Sequence, residues 1–343
     1  MQNKQDEMEQ CHCSIGVLAA LMLLTGVCSA EEQQATIEQL VAEMSQRIEA
    51  ITLAAEENGA IPRFNQPKSV ACVDARFRVH EDIPRELQQG LFARPGSYPA
   101  RLRFANATEM DDSEKDIRGL SIRVSGIDGG ALWGEGGRQD FVLNSYPVLF
   151  VATPEEFLKF IRARQEDRKL RFFLNPFDPH LKSLWILFKA RKRHLSPLDI
   201  RYWSTVPFSL GSDQAVKYSV TPCSDYTTAQ VVDAGPDQLR SALKHHLQQG
   251  PACFEFGVQR QLDAETMPIE DASVVWDEAL SPFRRVATIT IEEQAFDTPQ
   301  ALAACEASRF NPWQTLSAHR PLGRMNEVRR QVYAQAAKLR TRE

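Results

Sequence analysis

Asn144 lies in the run Gln139-Asp-Phe-Val-Leu-Asn-Ser-Tyr-Pro-Val-Leu-Phe150, where a buried strand reads as ending in a polar Asn-Ser followed by a proline. A carboxamide at such a strand end can orient a small polar ligand by hydrogen bonding, but it cannot gain and lose a proton near neutral pH. Asp111, Asp112, Glu114 and Asp116 crowd one loop, where carboxylates either hold a hard cation or simply line a solvated turn. His245 and His246 are adjacent in a helical pattern and so face different ways, which argues against a paired metal site. The basic run Lys189-Ala-Arg-Lys-Arg-His194 reads as a solvated helix end. No Gly-x-Ser-x-Gly elbow, Cys-x-x-Cys pair or Gly-rich phosphate loop occurs, so serine-hydrolase, redox-thiol and dinucleotide readings lack support.

The elements that must position these groups are mostly strands. Val70–Val79, Arg101–Asn106, Leu120–Ser125, Asp140–Asn144, Ala215–Val220, Ala252–Gln259 and Val286–Ile291 alternate apolar and polar residues, and Tyr202–Phe208 is a weaker eighth. Turns such as Arg94-Pro-Gly96 separate them, which predicts an antiparallel β-barrel in an α+β fold. Helical periodicity covers Glu31–Asn58, with Gly59 as its stop, then Pro154–Lys169, Leu181–Arg193 and Pro236–Gln249 as insertions. Thr298–Ser308 and Met325–Arg340 finish the chain in helix.

Seven segments, in order, resemble those of haem catalases, and most closely bacterial catalase-like proteins of this length. They are Arg63-Phe-Asn-Gln-Pro-Lys68, Ala100–Asn106, Asp116-Ile-Arg-Gly-Leu-Ser-Ile-Arg123, the run ending at Phe150, Thr153-Pro154 with Phe157, Glu293-Gln-Ala-Phe-Asp297 and His319-Arg-Pro-Leu-Gly323. The resemblance spans roughly residues 60 to 330. It implies a haem cofactor and chemistry on hydrogen peroxide or lipid hydroperoxides. It implies Asn144 and Gln66 on the distal side, Arg63 and Arg103 at the haem propionates, and Leu149 and Phe157 against the ring. Arg309 and Trp313 would lie beneath it, with His319 the nearest residue able to bind iron and Tyr333, on the tail helix, another.

Two positions depart from that pattern. Gln66 stands where the family has its distal His, and an amide cannot shuttle a proton between peroxide oxygens. Arg309-Phe-Asn-Pro-Trp313 keeps an Arg four residues ahead but ends in Trp where the family has its iron-binding Tyr, and indole nitrogen has no lone pair to offer. The chain therefore reads either as a divergent haem peroxidase or as a non-catalytic protein that uses the barrel cavity for haem or an apolar ligand.

The 343 residues supply enough apolar side chains for a full core, and the net charge of −5 does not suggest a nucleic-acid partner. A homo-oligomer is compatible with either reading. Residues 1–30 resemble a secretory signal, with an apolar core from Ile15 to Val27 followed by small residues, ahead of a single unit over 31–343. Cleavage would place the chain in the periplasm or outside the cell, and retention would leave it cytoplasmic. Cys72, Cys223, Cys253 and Cys305 lack metal spacing and read as buried free thiols, or as one or two disulfides if the chain is exported.

Overall fold

The computed structural model describes residues 36–341 apart from Asn58. The leader over 1–30, the first residues of the helix expected from Glu31, and Asn58 lie outside the described residues.

The helix over 36–54 (α1) leads into β1 (Lys68–Val79), β2 (Gly96–Asn106), β3 (Arg118–Ser125) and β4 (Arg138–Asn144). Three helices follow: α2 (Pro154–Gln165), α3 (Lys169–Leu174) and α4 (Leu181–Ala190). The chain then returns to the sheet with β5 (Tyr202–Trp203), β6 (Phe208–Leu210) and β7 (Gln214–Pro222), crosses α5 (Gln238–Gln249), and adds β8 (Ala252–Arg260) and β9 (Arg284–Ile291). It ends in α6 (Pro299–Ala307) and α7 (Arg324–Thr341).

Every strand pairing is antiparallel, and the order β5-β4-β3-β2-β1-β9-β8-β7 closes on itself because β5 also pairs with β7. The closure is narrow: Asn144 pairs with Trp203, and Tyr202 with Val220. The expected barrel is thus present, with helices decorating it. The expected strand Tyr202–Phe208 is in fact two short ones. Thr205 adopts a left-handed backbone (φ 61°) between them and turns β6 onto the edge of β7. Likewise the helix expected over Pro154–Lys169 breaks at Asp167 (φ 54°), which separates α2 from α3. Where α2 begins, Thr153 caps it by accepting from the Glu156 N–H, with Pro154 in the first turn.

Strand alternation sends Phe77, Phe104, Phe141, Tyr218, Phe254 and Phe256 inward, where all are fully buried. Phe141 packs 4.8 Å from Phe256 and 5.1 Å from Tyr218, centroid to centroid, and Phe77 lies 5.4 Å from Phe256. Side chains fill the barrel interior. A disc-shaped hollow enclosed by the sheet, as the cavity-binding reading requires, is therefore not where a ligand would go. A second apolar cluster joins α1, α2 and α7 through Met44, Ile48, Leu158, Ile161 and Val328.

The cysteines are not free thiols. Cys72 on β1 is bonded to Cys305 on α6, and Cys223 to Cys253 across the ends of β7 and β8. The acidic loop is no solvated turn either, because Asp112 and Asp116 are buried. Asp112 accepts from Asn106 and the Leu239 N–H and pairs with Lys68, while Asp116 accepts the N–H groups of Thr108 and Glu109. Those bonds use the carboxylates that a cation would need.

Candidate functional site

The outer face of β1–β4 carries the polar residues that alternation turns away from the core. Cys72, Arg103 and Ser121 align across three strands, and Ala105, Gly119 and Asn144 form the next outward row. Gln66, just before β1, lies over this wall in a left-handed conformation (φ 57°), held by its N–H to the Ala107 carbonyl at 3.1 Å. Arg103 donates to the Gln66 backbone oxygen at 2.9 Å, to Gln66 Oε1 at 3.4 Å and to Ser69 Oγ at 3.0 Å. With Oε1 accepting from a guanidinium, the Gln66 amide must donate, and Nε2 lies 3.3 Å from Asn144 Oδ1. That leaves the Asn144 NH2 without a hydrogen-bond partner among the described residues, and it is the donor available to a ligand.

Gly119 makes the arrangement fit, since a Cβ there would stand 2.1 Å from Gln66 Nε2. A left-handed glutamine costs about 1 kcal/mol, and the contacts to Arg103 and Asn144 hold it in place. Gln66, Asn144 and Arg103 are thus brought together in one cluster.

Arg63 lies beside them but is already engaged. It donates to Glu306 Oε2 at 2.5 Å and to the carbonyls of Glu306 and Ser308 at 2.8 and 2.9 Å. Arg340 of α7 donates to the Glu306 carbonyl at 3.2 Å. Burial and the neighbouring Arg63 lower the Arg103 pKa to about 9, which leaves it cationic at neutral pH. Burial opposes charge on Glu306, but the Ser69 hydrogen bond and the two arginines outweigh it and hold its pKa below the usual carboxylate value. Glu306 is therefore the nearby counter-charge to Arg63, Arg103 and Arg340, but only Arg63 bonds its carboxylate, while Arg340 reaches the backbone carbonyl. The Cys72–Cys305 bond holds that carboxylate over the wall, since Cys305 precedes it and Cys72 pairs with Arg103.

The residues expected beneath a haem are placed otherwise. His319 is inside the barrel end, against Phe92 and Phe141, and no part of it is exposed. Its Nε2 accepts from the Leu91 N–H at 2.9 Å, so the neutral ring carries its proton on Nδ1 and donates it to Tyr218 Oη at 2.8 Å. Burial lowers its pKa to about 3. Both nitrogens are used, so His319 is a core residue and not an iron ligand. Trp313 is buried, with Nε1 donating to the Asn326 carbonyl at 2.7 Å and Arg330 over its ring at 5.1 Å. Arg309 is exposed, and its carbonyl accepts from Arg123. Leu149 is half-buried against the barrel core, and Phe157 of α2 bridges the two apolar clusters.

A residue that the matched segments passed over stands out on α7. Arg329 donates to Tyr333 Oη at 3.1 Å, with its guanidinium 5.2 Å from the ring centre. The signal was the Arg four residues ahead of a Tyr, a spacing that one helical turn converts into contact. The helix α7 runs from an ion pair between Arg324 and Glu155 of α2 at its start to the Glu306 carbonyl at its end. It thereby spans the region between α2 and the arginine cluster.

Two clefts open elsewhere. One of about 330 Å³ lies between α1 and α7, around Ile48 and Val332, and one of about 440 Å³ lies beside α5, around Lys244 and Asp297. Neither is lined by Gln66, Asn144 or Trp313. Cys223, Cys253 and Glu255 cluster closely enough for a metal, but the two sulfurs are joined to each other.

No family model matches the chain. Peroxisomal catalase A of Saccharomyces cerevisiae (strain ATCC 204508 / S288c) is 23% identical over 296 residues, which cover 75% of this chain and 55% of that protein. Among solved structures, catalase A from Saccharomyces cerevisiae superposes with a TM-score of 0.66 at 19% identity, covering 85% of this chain and 63% of that one. A fungal catalase gives 0.65 at 18% identity, covering 84% and 61%. A bacterial catalase gives 0.65 at 17% identity, covering 82% and 58%. The chain spans between half and two thirds of the length of these proteins. It has a catalase-like barrel fold and a weak sequence similarity to catalase.

Proposed function

We propose that this chain is a catalase-like haem protein that handles hydrogen peroxide or a lipid hydroperoxide on the outer face of the barrel wall. The observation that carries the reading is the bonded cluster of Arg103, Gln66 and Asn144 over Gly119, on a fold shared with catalases.

The residue types that such a group needs are present on the outer wall and on α2 and α7. Arg63, Arg103 and Arg340 supply cations for two propionates, and of the three only Arg63 is now paired with the Glu306 carboxylate. Phe157 offers an aromatic surface, and Tyr333 an oxygen ligand with a guanidinium donor. Haem, when bound, would supply a redox-active iron. The chain's own part is to orient the peroxide. The Asn144 NH2 donates to one oxygen, and the second Gln66 N–H is within the same cluster. Neither amide can take a proton from one oxygen and return it to the other.

The test is an absorption spectrum of protein produced with haem supply. A Soret band is expected, retained in Trp313→Phe and lost or displaced in Tyr333→Phe. A colourless wild type rules out the haem reading, and a band indifferent to Tyr333→Phe rules out that ligand.

Gln66 itself favours a second reading, haem or an apolar molecule held without turnover. A Soret band with no oxygen evolution from peroxide would establish it. Gln66→His would then raise peroxide consumption by about 100-fold or more if proton shuttling is all that is missing. The two disulfides support a further part of the proposal, that the chain works in an oxidising compartment such as the periplasm.

A further inference from the structure

We propose that the α3–α4 hairpin is a docking surface for an anionic phospholipid membrane. The helix α4 is apolar on two opposite sides. Ser183, Ile186 and Ala190 face the protein, whereas Leu181, Leu184, Trp185 and Phe188 recur at helical spacing on the other side and are exposed. Trp185 is 59% and Phe188 71% exposed, and their rings stack at 5.9 Å. Helix α3 adds Leu170, and its connection to α4 adds Phe177, which is 95% exposed. Exposed apolar residues scattered singly need no explanation, but a contiguous aromatic face does.

The charge around this face identifies what covers it. Residues 168–193 carry eight Lys or Arg and one Asp, in a chain of net charge −5. That Asp178 is already bridged to Lys159 at 2.7 Å. Lys169, Arg171, Lys189 and Lys192 make no ion pair among the described residues, and Lys189 lies 4.7 Å over the Trp185 ring. The run Lys189–His194 is therefore not merely a solvated helix end. It is the cationic border of an aromatic surface, a pairing that suits acyl chains below and phosphate headgroups beside them. Indole at the boundary and Lys or Arg at headgroup level are the side chains a bilayer interface selects. No helix among the described residues is long and apolar enough to cross a membrane, so the contact lies on the surface. A second copy of the chain is the poorer occupant, because a twofold pairing of this face would set its cations against one another.

The inference stands apart from the haem reading, and its test needs no haem. The full chain is sedimented with vesicles of phosphatidylcholine alone or mixed with phosphatidylglycerol. Binding is expected to the mixed vesicles and to fall with salt. Lys189→Gln with Lys192→Gln should weaken it about 30-fold, and Trp185→Ser with Phe188→Ser about 100-fold or more. These side chains point to solvent, so circular dichroism should not change. Should the serine pair nonetheless unfold, brominated acyl chains should quench tryptophan emission in the wild type and much less in Trp185→Phe. Vesicle binding untouched by both pairs of substitutions overturns the proposal, as does quenching equal in Trp185→Phe. Size-exclusion elution as a dimer that the serine pair dissociates, with no vesicle binding, would assign the face to a second copy instead.

Discussion

The two faces of the strands β1–β4 are built from alternate residues of the same strands, yet they do different work. Inward, Phe77, Leu102, Phe104, Ile122, Phe141 and Leu143 are at most 1% exposed and meet other rings or branched chains. Outward, Arg103, Gly119, Arg123, Asp140 and Asn144 meet guanidinium, carboxylate and carboxamide groups. The inner face is close-packed, and its contribution scales with apolar area removed from water. The outer face holds polar groups in geometries that need one another, and its stabilisation is local. On the proposed reading, a ligand that needs polar orientation would be met on the outer face and not among the packed rings inside the barrel. This difference is open to attack from both sides.

The largest expected effect is on the tether that ties a helix to the outer face. In the chain-entropy account of cross-links, the Cys72–Cys305 bond, 233 residues apart, is worth about 5 kcal/mol, and Cys223–Cys253, 30 apart, about 4 kcal/mol. Replacing Cys72 and Cys305 by Ser should lower the denaturation midpoint more than the same change in the other pair. Only the first pair should also release Glu306, which precise placement beside Cys305 keeps near Arg63. Equal losses from both pairs would indicate that α6 is held by its other contacts.

Next comes the inner face. Phe256→Ala removes a fully buried ring that touches Phe77, Phe92, Phe141 and Tyr218. It should cost about 4 kcal/mol in urea unfolding. Asn144→Ala on the outer face, half-buried with one side-chain bond at 3.3 Å, should cost about 1 kcal/mol or less. Similar costs at the two positions would erase the distinction between the faces.

A third effect comes from pH. Burial lowers the His319 pKa from 6.5 to about 3 in the folded chain, so between those values the unfolded chain binds the proton more readily. Stability should therefore fall as pH drops below 6.5 and remain lost below pH 3. The loss from this group between pH 8 and pH 5 is about 2 kcal/mol. His194, lowered to about 4 by burial and by Arg118 and Lys192, acts in the same direction. Denaturant midpoints measured against pH should show the slope, and His319→Gln should flatten it whatever its effect on absolute stability. An unchanged slope would mean that the ring is protonated in the fold.

How far the sequence reveals each face follows from the same alternation. The inner face has a period of two, so seven of the strands and the barrel itself are legible from Phe254-x-Phe256-x-Val258 and its counterparts. The outer network is legible only in part. Asn144 is marked by its place at a strand end, and Gln66 and Arg103 by resemblance, but the bonds among them depend on a left-handed turn at Gln66 and on the absence of a side chain at Gly119. His319 misleads because an imidazole reads equally as a ligand or as a core donor and acceptor, and only its neighbours Leu91 and Tyr218, far away in the chain, decide. The proximal Trp313 misleads by keeping the Arg spacing, whereas Arg329 and Tyr333 keep the same spacing on a helix that presents both to one side. The hairpin α3–α4 was hidden for a different reason. An apolar helix pattern cannot tell which apolar side faces the protein and which faces outward.

The smallest effect on stability should accompany the sharpest effect on the candidate site. Gly119→Ala places a methyl group 2.1 Å from the Gln66 amide, whose far end can swing away, so the fold should lose no more than about 1 kcal/mol. The swing must break the contact from Gln66 Nε2 to Asn144 and loosen the one from Arg103 to Oε1. Side-chain amide resonances of Gln66 and Asn144 should shift together in nuclear magnetic resonance spectra, while inner-face methyl resonances of Leu102 and Ile122 hold still. In haem-loaded protein, cyanide or azide affinity should change with them, because the donor nearest a bound ligand has been moved. If the inner-face methyls shift as much as the amides, the wall transmits strain across its thickness. The two faces would then be one mechanical unit, and the outer network could not be altered without repacking the core.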